Sequence, residues 1–348
     1  MFSLLRPYIF GLDPEVAHDL AIKSLKFNII PKSFFQIDEE EMLEIELFKR
    51  KLKNPIGLAA GFDKSAEVYN SLFNLGFGFV EVGTITPRRQ SGNLKPRVFR
   101  LEKDKAMINR LGFNNDGMDV VSERLSRRPP EDFLGINIGP NKDTKDKTSD
   151  FIKCFEKLNK LAGYITINIS SPNTDGLRDF HEEKLLSDLL TKLNKLKNDK
   201  KFQCPLALKI SPDISDKEIS NINEIILKFK INGVILTNTT NQHRENLSDS
   251  KKNEAGGLSG LPLQKLSLKL IRQFYKSSKG KVPIIGVGGV DSGQTAFEKI
   301  AAGATAVQLY TGMVYNGPGV IKDIKKELIE ILKKEKIKNI QKVIGISS

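Results

Sequence analysis

The feature that most restricts the fold of this chain is an alternation that begins near residue 55. Short apolar runs bounded by turn-forming residues lie at 56–60, 79–86, 134–138, 164–169, 206–210, 233–237, 284–287 and 306–310. Runs of this length with such flanks read as buried strands. Between them lie amphipathic stretches at 65–75, 116–128, 149–161, 183–198, 215–229, 262–277 and 292–302, and a last one at 318–334 follows the eighth run. Eight strands, each followed by a helix, predict an α/β protein of the (β/α)8 TIM-barrel class. A doubly wound open sheet is the alternative, but the spacing of the units and the lack of an early Gly-x-Gly-x-x-Gly favour closure. Reactive side chains are then expected at the C-terminal ends of the strands.

Residues 1–54 precede this pattern and differ from it. Asp13-Pro14-Glu15 is a helix start, with Asp13 as cap and Pro14 in the first turn. Apolar residues crowd both sides of it, from Phe2 to Phe10 and from Val16 to Phe27. Two short helices are expected, either packed on the barrel's bottom or lying in a lipid interface. Residues 42–53 are expected to form a hairpin that closes the barrel floor. The chain is thus divided into an N-terminal helical segment, 1–40, and a catalytic barrel, 41–348.

Composition excludes several functions. The chain has 348 residues, 39% apolar and 28% charged, enough for one large soluble domain with a full core. Its two cysteines, Cys154 and Cys204, cannot build a four-cysteine cluster, and its three histidines lack ligand spacing, so no metal site is expected. No apolar run reaches the roughly 18 to 20 residues of a membrane span. The net charge of +13 comes largely from lysines along 192–201 and 322–338, which read as solvated helix faces, with attraction to an anionic membrane surface as the alternative, and not as a nucleic-acid surface.

The strand ends carry the chemistry. Asn-Ile-Ser-Ser-Pro-Asn-Thr at 168–174 follows the fourth run, Asn137 ends the third, and Thr237-Asn238-Thr239-Thr240 follows the sixth. Asn109 adds an amide from a loop. Side-chain amides offer donors and acceptors together, which suits a flat ring with alternating C=O and N–H edges. Lys64 follows the first run as a cation at the rim. Lys209 lies within the apolar strand 206–210, so its ammonium is expected to face the pocket, partly desolvated, where it can stabilise developing negative charge. Gly286-Val287-Gly288-Gly289 after the seventh run and Tyr310-Thr311-Gly312 after the eighth occupy the places where barrels hold phosphate, with a helix beginning near Ser292. Gly256-Gly257-Leu258-Ser259-Gly260 supplies another backbone-lined loop. A phosphate site and a lysine beside a ring suggest flavin mononucleotide, FMN.

Taken together, these segments resemble the dihydroorotate dehydrogenases, from about Gly11 to the end of the chain. The likeness rests on Ala60-Gly61-Phe62-Asp63-Lys64, Gly83-Thr84-Ile85-Thr86-Pro87, Asn109-Arg110-Leu111-Gly112-Phe113-Asn114, the 168–174 segment, Thr237-Asn238-Thr239-Thr240 and Gly286-Val287-Gly288-Gly289. It is closest to members with a serine base and a quinone acceptor. The resemblance implies FMN contacts from Ala60, Gly61, Lys64, Thr84, Asn137, Asn168, Lys209, Thr237, Gly260, Gly289, Tyr310 and Thr311. It implies that Lys64, Asn109, Phe113, Asn168, Asn173, Asn238 and Thr239 hold dihydroorotate or orotate. Ser171 is implied as the catalytic base, with Thr174 and a water relaying its proton and Lys209 assisting. His18, Arg100 and Tyr310 match residues lining a quinone tunnel. A peripheral, monomeric enzyme on the cytoplasmic face of the inner cell membrane follows, serving pyrimidine biosynthesis. Three rivals remain: a soluble fumarate- or NAD-linked relative, another flavin barrel reductase, and a basic binding protein without activity. Serine at 171 opposes the first, the absence of a cysteine acid opposes a dihydrouridine reductase, and the strand-end lysine, amides and serine oppose the third.

Overall fold

A computed structural model describes residues 2–27, 31–38 and 40–348. Met1, residues 28–30 and residue 39 of the expected 1–40 segment lie outside the described residues. Two helices, α1 (Phe2–Phe10) and α2 (Pro14–Phe27), come first. A hairpin of β1 (Ile45–Leu47) and β2 (Arg50–Leu52) follows, turning through Phe48 and Lys49, both at positive φ. The remaining strands are β3 (Ile56–Leu58), β4 (Phe79–Ile85), β5 (Val98–Leu101), β6 (Ala106–Asn109), β7 (Leu134–Ile138), β8 (Tyr164–Asn168), β9 (Leu206–Ile210), β10 (Gly233–Leu236), β11 (Gly257–Gly260), β12 (Ile284–Val287) and β13 (Ala306–Leu309). Eight of them close into a parallel barrel in the order β10-β12-β13-β3-β4-β7-β8-β9. The (β/α)8 expectation therefore holds, and each of the eight expected runs contains one barrel strand.

Helices α3 (Tyr69–Asn74), α4 (Met118–Arg127), α5 (Lys147–Leu158), α6 (Glu183–Lys200), α7 (Asp216–Lys228), α8 (Gln264–Ser278), α9 (Gly293–Ala301) and α11 (Val320–Lys334) follow the barrel strands, with the short α10 (Thr311–Asn316) inserted before α11. Local chemistry sets their starts. In α7, Ser215 Oγ accepts from the Glu218 N–H while the Glu218 carboxylate accepts from the Ser215 N–H, so two end donors are satisfied reciprocally. The strands bury both faces, as sheet residues must when helices cover one side and the barrel interior the other.

Three things differ from the sequence reading. First, β5, β6 and β11 form a separate antiparallel sheet, ordered β11-β6-β5, built from insertions after β4 and β10. It has its own small core of Leu101, Ala106, Ile108, Leu247 and Leu258. Second, α1 and α2 do not pack on the barrel's bottom. α1 lies against α10, and α2 against β5 and α3, which places the pair at the C-terminal mouth. The floor is closed by the hairpin, as expected: the Phe48 ring packs on Tyr164 at 5.3 Å and leaves no room for a side chain at Gly233. The helix pair is anchored at the mouth by polar bonds instead. Arg97, buried, donates through Nε and Nη2 to the Glu15 carboxylate at 2.9–3.1 Å. Arg100 Nη1 donates to the carbonyls of Phe10 (3.1 Å) and Leu12 (2.9 Å) at the end of α1. The lysines are not uniformly solvated either: Lys325 is buried against Glu40 at 2.9 Å, and Lys299 is fully buried.

Candidate active site

A cavity opens where the barrel strands end. The inserted sheet roofs it, and the pairing of Asn109 with Gly257 fixes the Asn109 backbone there. Of the residues the sequence singled out, Ala60, Gly61, Lys64, Thr84, Asn109, Phe113, Asn168, Ser171, Asn173, Lys209, Thr237, Asn238, Thr239, Gly260, Gly289, Tyr310 and Thr311 all line it. Asn137 and Thr174 do not. Asn137 lies one layer below, accepting from Thr84 Oγ1 (2.6 Å) and from Asn168 Nδ2 (3.1 Å) and donating to Glu81 (2.8 Å). Thr174 is buried, and no hydrogen bond joins it to Ser171.

The polar floor is a connected network. Asn168 Oδ1 accepts from Ser170 Oγ at 2.7 Å, and Ser170 Oγ accepts from Asn238 Nδ2 at 2.8 Å. Ser170 is thereby committed to orienting two amides. Ser171 Oγ accepts only the Asn173 N–H at 3.2 Å, and its hydroxyl proton has no acceptor among the described residues. Of two adjacent serines, only Ser170 has its hydroxyl tied into the amide network.

Beneath this floor sits a carboxylate that the sequence reading missed. Glu81 is fully buried and accepts from Asn137 Nδ2, Tyr164 OH (2.8 Å), Thr166 Oγ1 (3.1 Å) and Gln308 Nε2 (3.1 Å). Its signal was available: an acid at an inward position of the apolar strand 79–82, matched by Gln308 in strand 306–309. Lys209 is buried with no hydrogen-bond or ion-pair partner among the described residues. Burial lowers its pKa, and the Glu81 charge opposes that shift. Gln308 Oε1 and Asn114 Oδ1, on residues of the same lining, are likewise buried without partners. An unpaired ammonium and unpaired amide oxygens on one lining are costly unless a ligand with matching acceptors and donors completes the set. The donor set fits a flavin ring. At the other end of the cavity the Gly288-Gly289 backbone, both residues at positive φ, and Thr311 suit a phosphate.

A second cavity, about 540 Å³, lies under α1 and α2. His18, Arg100 and Tyr310 all line it, among apolar side chains such as Ile9, Leu20, Leu25 and Met313. The two cavities share Lys64, Val98, Met107, Leu111 and Tyr310. Lys64 Nζ lies 3.2 Å from His18 Nε2. Burial and then the Lys64 charge push the His18 pKa down to about 3, so the imidazole is neutral at physiological pH and accepts from the ammonium. Burial also lowers the Lys64 pKa to about 8, against the pull of Glu15, Asp19 and Asp63. The Arg100 guanidinium covers the Phe10 ring at 4.7 Å, and its Nε has no partner.

A closed barrel with its polar cavity at the strand ends, flanked by an apolar cavity under added helices, has the architecture of a (β/α)8 enzyme with its site at the C-terminal mouth. The particular family follows from comparison. Residues 42–332 match the family model for dihydroorotate dehydrogenase. A protein of Christiangramia forsetii named dihydroorotate dehydrogenase (quinone) is 48% identical over 94% of this chain and 98% of its own length. One of the same name from Vibrio parahaemolyticus is 47% identical over 94% of this chain and its whole length. The crystal structure of the Eimeria tenella DHODH in complex with ferulenol superposes with a TM-score of 0.89 at 40% identity, covering 97% of this chain and 98% of that one. The chain belongs to the dihydroorotate dehydrogenase family.

Proposed function

We propose that the chain oxidises dihydroorotate to orotate in the polar cavity and hands the electrons to a quinone in the apolar one. The observation that carries this reading is the pair of abutting cavities with a shared wall, in a family whose relatives are named for the quinone reaction. When bound, FMN supplies a ring that accepts two electrons as a hydride and releases them to a second acceptor. The residues that would hold it are Ala60, Gly61, Thr84, Asn168, Lys209, Thr237, Gly260, Gly289, Tyr310 and Thr311 on the wall, with Asn137 orienting Thr84 and Asn168 from below.

Oxidation of dihydroorotate removes a proton from C5 and a hydride from C6. Ser171 takes the proton: its Oγ is on the wall and is the hydroxyl of the pair not tied to the amide network. Asn109, Asn168, Asn173 and Asn238 read the ring edges, and Thr239 and Phe113 bound the same space. The Lys64 ammonium pairs with the substrate carboxylate. Lys209 supplies positive charge in a desolvated position, where it acts most strongly. Thr174 and a water complete the proton's exit. On the acceptor side, His18, Arg100 and Tyr310 mark the polar end of an otherwise apolar cavity.

The outer face of the helix pair exposes Leu4, Leu5, Tyr8, Val16 and Phe27, which supports peripheral docking on a membrane that holds the quinone. Among the described residues no helix is long and apolar enough to cross a membrane. In this reading residues 1–40 serve the acceptor and residues 41–348 are the catalytic domain of a monomer at the cytoplasmic face. Steady-state assays of the purified yellow protein with dihydroorotate and one acceptor at a time test it. Turnover with a short-chain quinone and none with fumarate or NAD is expected, and turnover with fumarate alone contradicts the acceptor assignment.

A further inference from the structure

Behind the Gly288-Gly289 turn lies a lysine that the reaction above does not use. Lys299, on α9, is fully buried, and its Nζ donates to Ser267 Oγ on α8 at 3.0 Å. Ser267 Oγ in turn donates to the Val287 carbonyl at 2.6 Å, with the Leu236 carbonyl at 3.5 Å. Val287 is the last residue before the turn, and its carbonyl also accepts from the Thr237 N–H at 3.1 Å. A Cβ built at Gly288 would meet Ser267 Cβ at 3.3 Å, and one at Gly286 would meet Lys299 Cδ at 3.4 Å. The amine and hydroxyl therefore form the backing layer of the strand ends whose front face lines the cavity.

The N-terminus of α9, expected from sequence to face a phosphate, is closed by the chain's own groups. Gly293 N–H donates to the Glu327 carboxylate at 2.5 Å, and the Thr295 N–H donates to Ser292 Oγ at 3.2 Å. Asp291 lines the cavity itself. Two carboxylates near this end oppose a dianion, and among the lining cations Lys105 is exposed.

Resting on the FMN reading above, we propose that Lys299 and Ser267 are positioning residues for the flavin phosphate: they brace the Gly288-Gly289 turn, and Lys299 becomes cationic when a dianion occupies the front of that turn. Burial holds the Lys299 pKa down to about 7, opposed only by Glu298 beside it on α9. From the packed elements it meets Ser267 on α8 and Gly286 on β12, neither ionisable, while α11 touches α9 through Glu327 at Gly293. A bound dianion raises that pKa, so affinity falls as pH rises through it.

The test follows flavin release from the holoprotein on dilution, by fluorescence, between pH 7 and 9. Wild type loaded with FMN is expected to release faster as pH rises, while protein loaded with riboflavin, which lacks the phosphate, shows no such slope. Lys299→Met is expected to release FMN about 10-fold faster at pH 7, without the slope and with riboflavin release unchanged. A Lys299→Met protein that matches wild type, or that loses FMN and riboflavin equally, overturns the proposal. If that variant does not fold, the wild type still decides: no FMN slope, or the same slope with riboflavin, is contrary to it. Protein that carries no FMN at all refutes the cofactor reading instead.

Discussion

The two cavities share a wall, yet they are built from different chemistry. The strand-end cavity is lined by lysines and by amides tied to one another across neighbouring strands, above a buried carboxylate. The cavity under the helices is apolar, and its few polar groups serve chiefly to hold the helices in place: Arg100 binds the end of α1, while Glu15 binds Arg97. One is part of the barrel's own network. The other exists only while two short helices stay docked. This difference implies that the two half-reactions can be damaged separately.

The largest effect comes from removing residues 1–30. Quinone reduction is expected to be lost while dihydroorotate still bleaches the flavin, as rapid anaerobic mixing would show. Equal loss of both would mean that the helices belong to the barrel's stability and not to the acceptor site. The converse lesion is Ser171→Ala. It is expected to slow bleaching by about 10² to 10⁴, the usual worth of a positioned base, and to leave reoxidation by quinone unchanged. A smaller effect is expected from Glu15→Gln, which leaves Arg97 buried without its carboxylate. That should cost about 3 kcal/mol of helix docking, seen as a raised KM for quinone with little change in KM for dihydroorotate.

The smallest effect concerns the wall itself. Lys64 has its pKa lowered to about 8, so the free enzyme carries the cation below that pH and loses it above. Orotate affinity, measured by absorbance titration of the flavin, is expected to be highest below about pH 8 and to decline as pH rises past it. A flat profile would remove Lys64 from carboxylate recognition.

Much of this was legible in the sequence because barrel strands are local objects. Each apolar run declares itself, and the residues at its end are delivered to one mouth by topology alone. Lys64, Asn168, Lys209, Asn238 and Tyr310 were found in this way. What stayed hidden depends on long-range pairing. β5, β6 and β11 are short, and the strands at 98–101 and 257–260 pair only through 106–109, so neither carries a signal alone. The place of α1 and α2 is fixed by Arg97 and Arg100, far along the chain, and no periodicity reveals an ion pair with Glu15. Lysine at 299 looked like any other charge on an amphipathic helix; its burial follows from Ser267, on another helix. Asn137 was a flavin contact only by the family resemblance; its side chain lies below the lining, bonded to Glu81 and Thr84, and Glu81 was overlooked among apolar neighbours.

The central claim is that two adjoining cavities divide one reaction between them. Double-mixing stopped-flow tests it most directly: reduce the flavin with dihydroorotate, then add a short-chain quinone, in the wild type, in Ser171→Ala and in the protein lacking residues 1–30. The account predicts slow bleaching with normal recovery in the first variant and normal bleaching without recovery in the second. If both variants slow both phases to the same extent, the division of labour between the cavities is wrong.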